Sequence, residues 1–74
     1  MSRIVAIGER ERVRGFALAG VHVAAADDAP AARAAWRELP ADVGLVILTP
    51  EAHAALAVER LQQPNQRLWV VMPT

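Results

Sequence analysis

The stretch Asp42-Val43-Gly44-Leu45-Val46-Ile47-Leu48-Thr49-Pro50-Glu51 decides the fold. Leu45 to Leu48 form an unbroken apolar run. A strand with one wet face alternates apolar and polar residues, whereas a run like this marks a strand covered on both faces, as in a parallel sheet. The residues that follow open a helix. A Thr oxygen accepts from amides the first turn leaves unpaired, Pro suits the first helical position, and Glu meets the positive end of the helix dipole. A buried strand running straight into a capped helix is the repeating half of a β-α-β unit.

The same signals recur on either side. Ile4-Val5-Ala6-Ile7 ends at Gly8, and Leu68-Trp69-Val70-Val71-Met72 ends at Pro73. Val21-His22-Val23-Ala24 is weaker and reads as an edge strand. Between them lie helical patterns. From Glu9 to Ala19, the positions Val13, Phe16, Ala17 and Gly20 follow helical spacing, with Glu9 and Glu11 in the first turn. Gly15 in mid-helix costs about 1 kcal/mol against Ala and reads as a point of close approach to the sheet. The second helix has Asp27 and Asp28 as its cap region, Pro30 in the first turn, a stripe of Ala32, Ala35, Trp36 and Leu39, and Pro40 as its stop. In the third, Ala54, Ala57, Val58 and Leu61 form the stripe and Pro64-Asn65 ends it. Right-handed crossovers through this β-α-β-α-β-α-β order predict an α/β fold. Its core is a four-stranded parallel sheet, order 2-1-3-4, with helices on both faces in a Rossmann-like or receiver-like architecture.

Composition narrows the function classes. The 74 residues are room for one domain over 1–74. A chain of this size buries only about 60–65% of its unfolded surface, so its stability is modest and a partner helps. Lys plus Arg number 8, all Arg, against 8 Asp plus Glu. That balance argues against nucleic acid or an acidic lipid surface as the partner. Without Cys, disulfides and thiolate metal sites are excluded. The apolar run near the N-terminus is too short for a signal peptide or a membrane span, so a soluble, cytoplasmic chain without direct membrane insertion is expected.

In a doubly wound sheet, ligands bind beyond the carboxyl ends of the strands where strand order reverses. That point lies between Gly8-Glu9 and Thr49-Pro50. A dinucleotide fingerprint is lacking, since only Gly8 is in place and charged residues fill the span to Gly15. A P-loop needs Lys. Receiver-type phosphotransfer needs a carboxylate where Thr49 stands. His22 and His53 are isolated and lack metal-ligand spacing. There is no nucleophile elbow. The residues therefore point to no catalytic site, no metal and no cofactor.

Partner contacts are a separate matter. Arg10 and Arg14 share one helix face at i, i+4, with Arg12 pointing elsewhere. Their bland reading is a solvated face laced with Glu9 and Glu11, and their functional one is docking to an acidic partner. Arg33 and Arg37 flank Trp36, a composition enriched in interface anchors, although Trp36 also has the spacing of a core residue. Arg10, Arg14, Arg33, Trp36 and Arg37 are the candidate partner-binding residues.

Three signatures resemble the F subunit of the V-type and archaeal A-type ATPases. They are Ile4-Val5-Ala6-Ile7-Gly8-Glu9-Arg10 leading to Val13-Arg14-Gly15-Phe16-Ala17-Leu18-Ala19-Gly20-Val21, then Asp42-Val43-Gly44-Leu45-Val46-Ile47-Leu48-Thr49, and finally Trp69-Val70-Val71-Met72-Pro73. The Gly-Phe-x-Leu-Ala-Gly-Val run is the most specific, and together they cover nearly the whole chain in order. The resemblance implies a non-catalytic central-stalk protein. It would bind the coiled-coil D subunit of the rotor beneath the ATPase head, support coupling of ATP turnover to ion transport, and lie peripherally on the membrane through the complex. Members of that family commonly continue past the closing strand into a regulatory C-terminal segment. The given sequence ends at Pro73-Thr74, which leaves regulation through such a segment an open question, whereas docking to the rotor is expected. Weak self-association through an exposed edge strand is expected when the partner is missing. The competing expectation is a stand-alone receiver-like or small-anion and nucleotide-binding module at the switch point.

Overall fold

A computed structural model of the chain describes residues 3–62 and 68–73, with side chains omitted at 60–62. Strands β1 (Arg3–Gly8), β2 (His22–Ala25), β3 (Val43–Leu48) and β4 (Leu68–Val71) form one sheet in the order β2-β1-β3-β4. All neighbouring strands run parallel, with Val5 opposite both His22 and Val46, and Val46 opposite Trp69. The expected α/β architecture and strand order are those observed, and β2 is an edge strand as its weaker pattern indicated.

Helices α2 (Ala29–Arg37) and α3 (Pro50–Ala55) share one face, where they close the core over Val5, Ile7, Val46 and Leu48 with Ala32, Trp36, Ala52 and Leu56. Helix α1 (Arg10–Val13) and the 3-10 helix Arg14–Ala19 pack on β1 and β2. The first crossover runs leftward from β1 and the later two run rightward. Right-handed connections therefore place the first on the opposite face. A bulge between Arg3 and Ile4 shifts the register so that Val43 also reaches the α2–α3 core.

Several local expectations need correcting. The first helix is not continuous: only one α-turn forms before the chain tightens into 3-10 geometry, in which side chains follow a three-residue period. Val13 is buried and Phe16 half-buried, but Ala17 and Gly20 are exposed. Gly15 is no point of close approach, since a β-carbon there would meet nothing within 4 Å. Gly20 belongs to no stripe. It ends the 3-10 helix at φ +84°, a left-handed conformation that Gly adopts without a Cβ clash.

The third helix breaks at Leu56, and α4 (Ala57–Gln62) follows. Its buried positions are Ala52 and Leu56, whereas Ala54, Ala57 and Val58 are exposed. Ala54 already stands off the Ala52–Leu56 face before the break, and a stripe drawn along one straight axis does not carry over to Ala57 and Val58 after it. Leu61 lies outside the described side chains, and Pro64 and Asn65 lie outside the described residues. The largest departure is β4. Its apolar run predicted cover on both faces, yet all its residues are exposed. It is the sheet's outer strand, and α1 with the 3-10 helix stops short of it.

Candidate functional site

The switch point is built from chain ends that meet. β1 finishes at Gly8, and the Gly8 carbonyl accepts from the Ala26 amide at 2.7 Å just beyond β2. Thr49 leaves β3 fully buried. Its hydroxyl donates to Glu9 Oε1 at 2.5 Å and accepts from the Ala52 amide at 3.2 Å, so one side chain caps α3 and holds the carboxylate at the end of β1. Gly8 is required by this contact, because a β-carbon on it would fall 2.6 Å from Thr49 Oγ1.

The two aspartates divide their work. Asp28 caps α2, accepting from the Ala31 amide at 2.9 Å. Asp27 turns back and accepts from the Arg10 amide at 2.9 Å, supplying α1 with the cap that Glu9 does not provide. Spacing alone offers both as caps of the same helix, and nothing local distinguishes them.

Between the starts of α2 and α3 lies a cleft of about 340 Å³ whose charged lining is Glu9, Asp27, Asp28 and Glu51. Its remaining walls are alanines. Helix N-termini normally attract anions, but this ring of carboxylates repels a phosphate. Glu9 is engaged by Thr49, and Asp27 and Asp28 by helix amides. These three carboxylates serve the chain's own donors, two helix amides and one hydroxyl. Among the described residues, no group of three or more acidic or His side chains is arranged to hold a metal ion. His22 is exposed on β2, and the His53 ring lies 5.2 Å from that of Trp69, tying α3 to β4.

The candidate partner contacts are split by the sheet. Arg10 and Arg14 are exposed on α1 and at the start of the 3-10 helix, where Arg14 pairs with Glu11 at 3.7 Å. Arg33 and Arg37 belong to α2 on the other face, half-buried and exposed respectively. Trp36 is 3% exposed, and its indole N–H has no acceptor among the described residues. Its ring anchors α2 from beneath and presents no free face.

Arg12 escaped the reading of the sequence as a structural residue. It donates to the Pro73 carbonyl at 3.2 Å, 61 positions away. No local signal could have exposed a pairing at that separation.

No described helix is long and apolar enough to cross a membrane. The family model described as the ATP synthase (F/14-kDa) subunit matches residues 4–74. No curated protein matches the chain at a significant level.

Proposed function

The chain belongs to the family of the ATP synthase (F/14-kDa) subunit, and from that membership we propose that it is the non-catalytic central-stalk component of a V/A-type rotary ATPase. In this role it binds the coiled-coil D subunit of the rotor and supports coupling between ATP turnover and ion transport. It is held at the membrane periphery by the complex. The observation that carries this reading is the family match itself, which takes in every strand from Ile4 onward.

The fold is suited to such a task. A parallel sheet clasped at Glu9 and Thr49 behaves as one body, and a rotor accessory has to turn with its shaft without deforming. Contact with an acidic partner surface falls to Arg10 and Arg14 on one face or to Arg33 and Arg37 on the other. Trp36 then serves the second pair by fixing α2. A single shaft reaches one face at a time, so reversing each pair separately identifies which one is used.

The competing reading, a module for small anions or nucleotides, is opposed by the four carboxylates lining the switch-point cleft. Titration with phosphate or ATP is expected to leave the amide signals of Gly8 and Thr49 unmoved. The decisive experiment is co-expression with the coiled-coil rotor protein of the same complex, followed by size-exclusion chromatography and mass measurement. A one-to-one complex is expected, and separate elution at tens of micromolar would reject the stalk role.

A further inference from the structure

β2 is an outer strand of the sheet, so one side of its backbone faces away from β1. The Ala26 amide donates to the Gly8 carbonyl, and Ala24 lies in register with Ile7. Strand alternation then turns the backbone groups of His22 and Ala24 toward β1 and those of Val23 and Ala25 outward. Val21 is already engaged, donating to the Phe16 carbonyl at 3.1 Å. Val23 and Ala25 thus offer two N–H and two C=O groups that pair with nothing among the described residues. Beside this edge, between β2 and α2, runs a groove of about 360 Å³. Ala24, Ala31, Ala34, Ala35 and Leu39 wall it. Its charged residue is Glu38, which stands with His22 at one end because α2 runs back against the strand direction, and Arg33 and Arg37 lie outside the lining.

We propose that the β2–α2 groove is a peptide site, which takes an extended segment of a partner protein as an added antiparallel strand. The site does not depend on the stalk role. An open strand edge beside a helix supplies backbone bonds for affinity and a pocket for alternate side chains. In antiparallel pairing, one residue of the segment exchanges both bonds with Ala25 and the next but one does so with Val23, so every outward group is satisfied. The residue between them faces Ala24 and shares its side of the sheet. Ala24 packs against the core under α2, so that side chain enters the groove, where alanine walls suit an apolar residue. Two positions further along the segment, opposite His22 and on the same side, Glu38 calls for Lys or Arg.

A second copy of the chain is a poor occupant. The register that satisfies Val23 and Ala25 together sets Ala24 against its own counterpart and His22 against Ala26 of the other copy. Alanine at those places neither fills the groove nor answers the charge of Glu38. Any other antiparallel register that keeps the outward groups facing each other puts Val21 opposite Ala25, and the Val21 amide is already bound to Phe16.

The test titrates the full chain with a capped peptide, Thr-Thr-Leu-Thr-Lys-Thr, and follows the amide signals by NMR. Saturable shifts, largest at Val23 and Ala25, are expected. Replacing the peptide's Leu by Asp should weaken binding about tenfold or more. N-methylation of the Thr that follows Leu removes the bond to the Val23 carbonyl and should cost about tenfold, whereas N-methylation of Leu, whose N–H points away from β2, should cost less than about threefold. In the protein, Val23→Pro deletes an outward N–H without touching the β1 ladder and should weaken binding about tenfold. Glu38→Lys, at an exposed position, should turn the preference toward a peptide with Glu in place of Lys, and it decides the matter if Val23→Pro does not fold. No saturable shift at millimolar peptide overturns the site, as does binding indifferent to the place of the N-methyl group or a preference unchanged by Glu38→Lys. Shifts at Val23 and Ala25 that follow protein concentration without peptide, with a doubled mass, would give the edge to a second copy and overturn it too.

Discussion

Thr49 Oγ1 lies 2.5 Å from Glu9 Oε1 and is also the acceptor for the Ala52 amide, so a single buried hydroxyl joins the exit of β1 to the entry of α3. In a receiver-type site, this position at the end of the third strand would hold a phosphate-accepting carboxylate. Here it holds a fastener. The difference is chemical: a hydroxyl donates and accepts at once, which is what a carboxylate and a helix amide facing each other require.

Thr49→Val is expected to destabilise the domain by about 2 kcal/mol, combining loss of the cap with stranding of the Glu9 contact. In thermal unfolding this appears as a fall of roughly 10 °C for a domain of this size. Thr49→Ser, which keeps the hydroxyl, should recover most of it. Equal losses for Val and Ser would show that the methyl matters as much as the hydroxyl.

Gly8→Ala should cost about 1–3 kcal/mol, because the new β-carbon would overlap Thr49, whose Oγ1 would be 2.6 Å away. Removing Oγ1 and Cγ2 with Thr49→Ala, which leaves the Thr49 Cβ position 2.9 Å away, makes the double variant less unstable than the two single losses added together. Urea unfolding of the four species measures that coupling, and simple additivity would contradict the close packing.

Gly15→Ala moves the other way. A β-carbon there meets nothing within 4 Å, and Gly15 carries no left-handed φ. Reduced entropy of the unfolded chain should raise stability by about 0.4–1 kcal/mol. A destabilised variant would mean that the 3-10 segment depends on Gly for its geometry.

Trp36→Ala is expected to lose about 3–5 kcal/mol, enough to leave a small domain mostly unfolded. Trp36→Phe keeps most of the ring and removes a buried N–H that has no acceptor among the described residues, so its cost should stay under about 1.5 kcal/mol. Circular dichroism with thermal melts separates these outcomes. Rotor binding by the Phe variant should match the wild type, and weakened binding at full stability would give Trp36 a direct contact.

Legibility followed the range of the interactions. The strand runs, the Asp28 and Thr49 caps and the Pro stops act within a few residues. With the right-handed crossover rule they fit the doubly wound order 2-1-3-4 that the sheet adopts. The candidate arginines were equally visible, but one flat list of them hid that α1 and α2 stand on opposite faces. The helix stripes failed where the backbone left α-geometry, at Arg14 and at Leu56, because a spacing rule assumes one axis throughout.

By itself, then, the sequence determined the α/β class, the parallel character of the sheet and the family, since each rests on local hydrogen-bonding needs, apolar runs and ordered motifs. Only the tertiary structure decided that Asp27 serves α1, that Arg12 reaches Pro73, and that β4 is left bare beside a covered β1. Those outcomes depend on which surfaces meet across long separations in the chain. An apolar strand reads the same in sequence whether its neighbouring helix covers it or ends one strand short.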